Sequence, residues 1–251
     1  MRKLFLIAIA TLSVLSASAQ GEARKWHYNL GFGGELKSGN VNSITLNNTG
    51  GIERNDSVLA FDANYAIVYG EKDHTKYDMG LTGNVKFDVF QYSRWSPFVS
   101  ASYLNNKFKG YEYKLSTLLG LKYRIYFNKR CDYSVSAAYV LDYVEYFAKD
   151  RLDDRFKPQV SRLSLRVKIK EKISNAVSIK HTTFYQPSLM NLKGLASVKE
   201  DYIITSTTTI STVLGKHLNL DLNFNIEHRS LVPDGTKPTD IGGTAALRLH
   251  F

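Results

Sequence analysis

Apolar and polar residues alternate with a period of two along nearly the whole chain. In "WHYNLGFGGEL" one parity carries Trp26, Tyr28, Leu30, Phe32 and Leu36, and the other carries His27, Asn29, Glu35 and glycines. "LAFDANYAIVY" repeats the arrangement, with Leu59, Phe61, Ala63, Tyr65, Ile67 and Tyr69 against Asp62 and Asn64. Successive side chains of a β-strand point to opposite faces, so the pattern marks strands with one apolar and one polar face. No helical stripe competes with it. The alternation predicts twelve strands, near 25–37, 41–52, 57–69, 75–90, 96–105, 111–127, 131–147, 158–171, 176–186, 201–214, 217–229 and 239–251.

Many of these segments outrun the roughly 5–6 residues usual in soluble sheets, and reach the roughly 9–11 that cross a bilayer at a tilt. In hydrocarbon every backbone N–H and C=O must be paired within the protein, and a closed antiparallel sheet does this without leaving an edge. The expected fold is therefore all-β: a transmembrane up-and-down antiparallel β-barrel of about 12 strands, apolar outside and polar within. The connections agree with it. Short turns fall at "ERND", "QYSRW", "NKR", "EKISN" and "GK", and longer loops at "AKDRLDDRFK", "PSLMNLKGLASVKE" and "RSLVPDGTKPT", with "KSGN" at 37–40 the one tight turn on the loop side. Outer-membrane barrels keep short turns in the periplasm and long loops outside. Aromatics cluster near both predicted interfaces: Phe90, Tyr92, Tyr126 and Phe127 by the turns, and Tyr69, Tyr77, Tyr103, Tyr111, Tyr143, Tyr146 and Tyr185 by the loops.

The N-terminus changes the picture by adding an address. "MRKLFLIAIATLSVLSASAQ" has a basic start, an apolar run from Leu4 to Leu15 and the small-residue pattern Ala17-Ser18-Ala19, the layout of a secretory signal peptide. The expected organisation is a signal peptide over 1–19 and a single barrel domain over 20–251, placed in the outer membrane of a Gram-negative-type envelope. The barrel-assembly machinery is an expected partner in biogenesis. The C-terminal strand, with Leu247, Leu249 and a terminal Phe251, looks like the signal it reads in outer-membrane proteins as a class. One cysteine, Cys131, allows no internal disulfide.

The net charge is +10, or +8 once Arg2 and Lys3 leave with the leader. Its cations recur at alternate strand positions and in turns, without a basic patch interleaved with aromatics, which argues against nucleic-acid binding. The segments "LGFGGELKSGNVNSITLNNTGGIER", "SPFVSASYLNNKFKGYEYKLSTLLGLKY" and "LVPDGTKPTDIGGTAALRLHF" resemble the YdiY-like family of salt-induced outer-membrane proteins. That resemblance implies a full-length barrel and brings no catalytic residues with it.

The candidate chemistry is basic. In "RLSLRVKIK" the apolar parity of Leu163, Leu165, Val167 and Ile169 leaves Arg162, Arg166, Lys168 and Lys170 pointing into the lumen. Lys122, Arg124, Lys180 and Arg248 share the polar parity of their own strands. A ladder of cations favours anions, as charged rings do in pores. Alternatively Asp62, Asp78, Asp88, Glu112, Asp142 and Asp221 neutralise it and give a salt-bridged interior. The expected function is a non-catalytic barrel, either a narrow anion-preferring channel for a small anionic solute or an envelope-integrity protein responding to osmotic stress. Outer-membrane lipids surround it, and no cofactor is expected. The alternative is a lipid-acting hydrolase, which would need a nucleophile on a histidine, with His181 and His228 placed near outer strand ends. Metal-ligand spacing of the Cys/His type is absent. Loop 187–200, with Leu189, Met190, Leu192 and Leu195, is apolar enough to plug the lumen or to bind a partner.

Overall fold

The computed structural model describes residues 26–38, 43–56, 58–72, 75–106, 111–146, 159–189, 201–232 and 237–250. The leader, residues 39–40 of the tight turn expected at 37–40, most of the three long loops and Phe251 lie outside the described residues. Twelve strands account for nearly all of what is described: β1 (Trp26–Ser38), β2 (Ser43–Arg54), β3 (Leu59–Lys72), β4 (Thr75–Val89), β5 (Trp95–Asn106), β6 (Tyr111–Phe127), β7 (Cys131–Tyr146), β8 (Gln159–Lys172), β9 (Val177–Pro187), β10 (Tyr202–Gly215), β11 (Leu218–Arg229) and β12 (Thr239–His250). Each pairs antiparallel with its neighbours in sequence, and β1 pairs with β12 from Asn29↔His250 to Ser38↔Ile241, closing the barrel.

Alternation becomes two faces. On β6, Leu115, Leu119, Leu121 and Ile125 are exposed on the outside, Leu119 by 67%, whereas Ser116 and Lys122 are buried within. On β7 Tyr139 and Tyr143 point out while Ser134, Ser136 and Asp142 point in. The inner face is not uniformly polar. Val140, Val144 and Val160 share it and are buried, with Val140 opposite Arg162 and Val160 opposite Asp142 in the β7–β8 register.

One rim carries the short turns, and local polar side chains explain their brevity. Asn128 Oδ1 accepts hydrogen bonds from the Arg130 and Cys131 N–H groups, both at 2.7 Å, and Ser174 Oγ accepts from Ala176 and Val177 N–H at 3.2 and 3.0 Å. Such side chains stand in for backbone partners and let a strand reverse in a few residues. Phe90 turns the chain after β4 with φ of 52°, a conformation few non-glycine residues adopt.

Outward aromatics gather at both rims. Along the short-turn rim Trp26, Phe61 and Phe87 form a chain of ring contacts, joined by the pairs Trp95–Tyr123 and Tyr126–Tyr133. The other rim has the stacked pair Tyr113–Tyr143 and the pair Tyr185–Tyr202. The side chains of Tyr77, Tyr111 and Tyr146 lie outside the described residues.

Inside, small residues on β6–β8 make room for long ones. A Cβ on Gly120 would come within 2.6 Å of the Ala137 carbonyl oxygen and 2.7 Å of the Phe98 ring. Phe98 on β5 is therefore packed against that wall and buried. The Arg166 guanidinium meets Phe98 from β8, 5.7 Å from its centroid, and Phe184 lies 6.0 Å from the same charge.

Candidate functional site

The strand register brings the inner cations into two belts. Towards the long-loop rim Arg162 makes a two-pronged contact with Asp201, Nη1 to Oδ1 at 3.1 Å and Nη2 to Oδ2 at 3.0 Å. Its Nε stands 3.7 Å from Asp142, whose carboxylate also takes Lys114 at 2.9 Å and a hydrogen bond from Ser116 Oγ. Towards the short-turn rim Asp88 holds Lys86 and, at 3.3 Å, Lys122. Asp132 lies between Arg124 at 3.3 Å and Lys168 at 3.2 Å, and Asp221 holds Arg248 at 2.9 Å. Five of the eight cations singled out by their parity, Lys122, Arg124, Arg162, Lys168 and Arg248, are thus ion-paired.

Arg166, Lys170 and Lys180 have no ion pair among the described residues. Lys170 on β8 stands directly opposite Lys180 on β9, and Arg166 stands opposite Phe184 two inward positions deeper, past Lys168↔Thr182. Like charges directly opposed across two strands destabilise a sheet. Asp132, the register partner of Lys170 on β7, is already engaged by Arg124 and Lys168, so β8 and β9 carry a positive wall without ion pairs of its own among the described residues.

Of the acids expected to neutralise the ladder, Asp88, Asp142 and Asp221 do so. Asp62 and Glu112 make no ion pair among the described residues, and the Asp78 side chain lies outside them. Asp132 and Asp201 were not anticipated. Asp132 shares the inner parity of Ser134 and Ser136, a signal present in the chain, whereas Asp201 reaches Arg162 only because the chain returns at the start of β10.

Neither His181 nor His228 is joined to a nucleophile and an orienting carboxylate among the described residues. His181 sits in the middle of β9, not near its outer end, and on the outer face, since its register partners include Ile169. Its Nδ1 lies 2.9 Å from Thr208 Oγ1 and its Nε2 2.9 Å from Thr183 Oγ1, with Ser206 3.2 Å further along. Both ring nitrogens are taken by hydroxyls, which leaves no place for a carboxylate to orient the ring. Neighbouring N–H groups belong to the strand ladder and supply no oxyanion donors. His228 contacts Thr239 Oγ1 at 2.9 Å near the long-loop rim. Leu247 points outward on β12, Leu249 pairs with Leu30 and Leu218, and Phe251 and residues 190–200 lie outside the described residues.

A closed twelve-strand barrel with an apolar exterior, two aromatic rims and an ionised interior has the architecture of outer-membrane β-barrel proteins, and solved structures of that class share it. A NanC porin aligns with a TM-score of 0.59 at 8% identity over 88% of this chain and 98% of its own. A KdgM porin aligns at 0.53 and 10% identity over 89% and 99%, and the translocator domain of the autotransporter NalP from Neisseria meningitidis at 0.54 and 10% over 98% and 95%. These likenesses concern the fold. The chain belongs to the family DUF481, described as a protein of unknown function, whose model matches residues 30–251. No curated protein matches the chain.

Proposed function

We propose that this chain is a non-catalytic channel of the outer membrane of a Gram-negative-type envelope, with a narrow lumen that prefers small anions. Residues 1–19 export it, the short-turn rim faces the periplasm, and the assembly machinery reads the strand that ends in Leu247, Leu249 and Phe251. Its kinship within DUF481 is with the YdiY-like, salt-induced proteins. The observation that carries the channel reading is the set of inner cations with no ion pair among the described residues, Arg166, Lys170 and Lys180, where the other five candidate cations are ion-paired. An uncompensated charge at a water-filled constriction lowers the barrier for ions of opposite sign. A KdgM porin has been solved in complex with disordered oligogalacturonate, but the charge argument here rests on this chain's own residues.

The test is single-channel recording of refolded, heat-modifiable protein under a salt gradient. Anion selectivity is expected in the wild type and is expected to collapse in Arg166→Gln/Lys170→Gln/Lys180→Gln. It should persist in Arg248→Gln/Asp221→Asn, which removes a complete ion pair and leaves the net charge unchanged. Silence from folded protein, or unchanged selectivity in the triple variant, overturns the reading.

A further inference from the structure

The cations without an ion pair among the described residues have a counterpart across the lumen. Glu53 on β2 and Asp62 on β3 are register partners on the inner face, two carboxylates opposed as Lys170 and Lys180 are. In the ring of twelve, β2 and β3 stand six strands from β8 and β9, on the far side of the barrel. All four charges lie at one level. Glu53 is the penultimate residue of β2, Asp62 the fourth of β3, Lys170 the third from the end of β8 and Lys180 the fourth of β9, so each is within a few residues of the short-turn rim.

Neither acid makes an ion pair among the described residues. Asp62 accepts a hydrogen bond from Asn64 Nδ2 at 2.7 Å, and Lys86, its register partner on β4, turns to Asp88 instead. Glu53 is near enough to act on both Lys170 and Lys180, though Asp132, opposite Lys170 on β7, acts on that lysine more strongly. Elsewhere in this lumen acids and bases meet on adjacent strands, where they stabilise one another. Here two groups of one sign stand opposed on each wall, and their oppositely charged neighbours are engaged elsewhere. Asp132, opposite Lys170 on β7, is engaged by Arg124 and Lys168, and Lys86, opposite Asp62 on β4, by Asp88. Opposing like charges costs stability on both walls. The arrangement creates a field directed across the pore, which focuses on whatever occupies the gap.

We propose that this level is a charge-sorting constriction that favours small solutes carrying separated positive and negative groups, amino-acid-like zwitterions, over singly charged or neutral molecules of the same size. A lone anion is drawn to Lys170 and Lys180 and repelled by Glu53 and Asp62. A zwitterion satisfies both walls by lying across the lumen, ammonium towards β2–β3 and carboxylate towards β8–β9. The proposal rests on the channel reading, and deepens it by naming the solute class.

Swelling of liposomes containing the refolded protein tests it, with four probes of one chain length: γ-aminobutyrate, butyrate, butylammonium and butyramide. In the wild type γ-aminobutyrate is expected to enter fastest, by about threefold or more over butyramide. Glu53→Gln/Asp62→Asn should bring γ-aminobutyrate down to the butyramide rate while leaving butyrate unchanged or faster. Lys170→Gln/Lys180→Gln should slow both γ-aminobutyrate and butyrate. Heat-modifiable migration certifies that each variant is folded. If γ-aminobutyrate enters no faster than butyramide while butyrate entry still depends on the lysines, the sorting proposal is overturned and the anion channel stands. If no probe enters through folded protein, the channel reading fails and the proposal falls with it.

Discussion

Arg162 is the inner cation with the most at stake, because it faces two carboxylates, Asp201 by a fork and Asp142 by its Nε, in a setting flanked by buried valines. Its own side chain is 10% exposed and that of Asp142 4%, so water does little to screen either. Removing Arg162 leaves Asp201 charged without its ion-pair partner, while Asp142 keeps Lys114. An unpaired buried charge costs more than the pair contributes. Arg162→Met should therefore lower stability by about 3 kcal/mol, read from urea unfolding of the refolded protein. A loss under about 1 kcal/mol, the level of an exposed pair, would show that water reaches this belt. Lys170 presents the opposite case. It makes no ion pair among the described residues, since Asp132 opposite it on β7 is engaged by Arg124 and Lys168, so Lys170→Gln belongs with the transport measurements above rather than with stability.

The strands follow from side-chain parity because each has one face against an apolar exterior, and a shift of a single residue would invert both faces. Strand β6 was expected at 111–127 and occupies Tyr111–Phe127; β3, expected at 57–69, runs Leu59–Lys72. Differences of this kind sit at the ends, where turn chemistry and not alternation decides. Leu119 lies at the middle of β6 and is the clearest single test that the outer face meets hydrocarbon. Leu119→Arg should cost about 2–4 kcal/mol for protein folded into lipid vesicles, as a charge does at the bilayer midplane. A change within about 0.5 kcal/mol, as at an ordinary soluble surface, would remove the membrane assignment of that face. Parity also placed the eight cations inside. It could not say which would be neutralised, since that depends on which strands meet and on how far each side chain reaches. Asp201 and Arg162 are 39 residues apart, and no periodicity links them. The opposition of Lys170 to Lys180 likewise needs the β8–β9 register, which the turn at 173–176 sets. The inner valines went unread because alternation treats every apolar residue as outward.

At the scale of the whole molecule, the ring separates its two kinds of charge by function. Neutralised belts brace the wall, and groups of opposite sign with no ion pair among the described residues face each other where the lumen nears the short-turn rim. The same ring contains one pairing unlike the other eleven. Every strand but two finds its partners a turn or a loop away in sequence, whereas β1 must find β12 from the opposite end of the barrel-forming chain. Gly33 and Ala246 meet at that seam, where a Cβ on Gly33 would lie 2.6 Å from the Ala245 carbonyl oxygen. Until the seam forms, both edges are open templates for any extended segment of suitable pattern. Closure is then a competition between the chain's own last strand and an impostor. A synthetic peptide copying Thr239–His250, present in excess during refolding, should win some of those contests and lower the yield of heat-modifiable protein, while a scrambled peptide of the same composition should not. The feature that leaves the finished barrel without an edge thus makes the unfinished one vulnerable to being jammed by a fragment of itself.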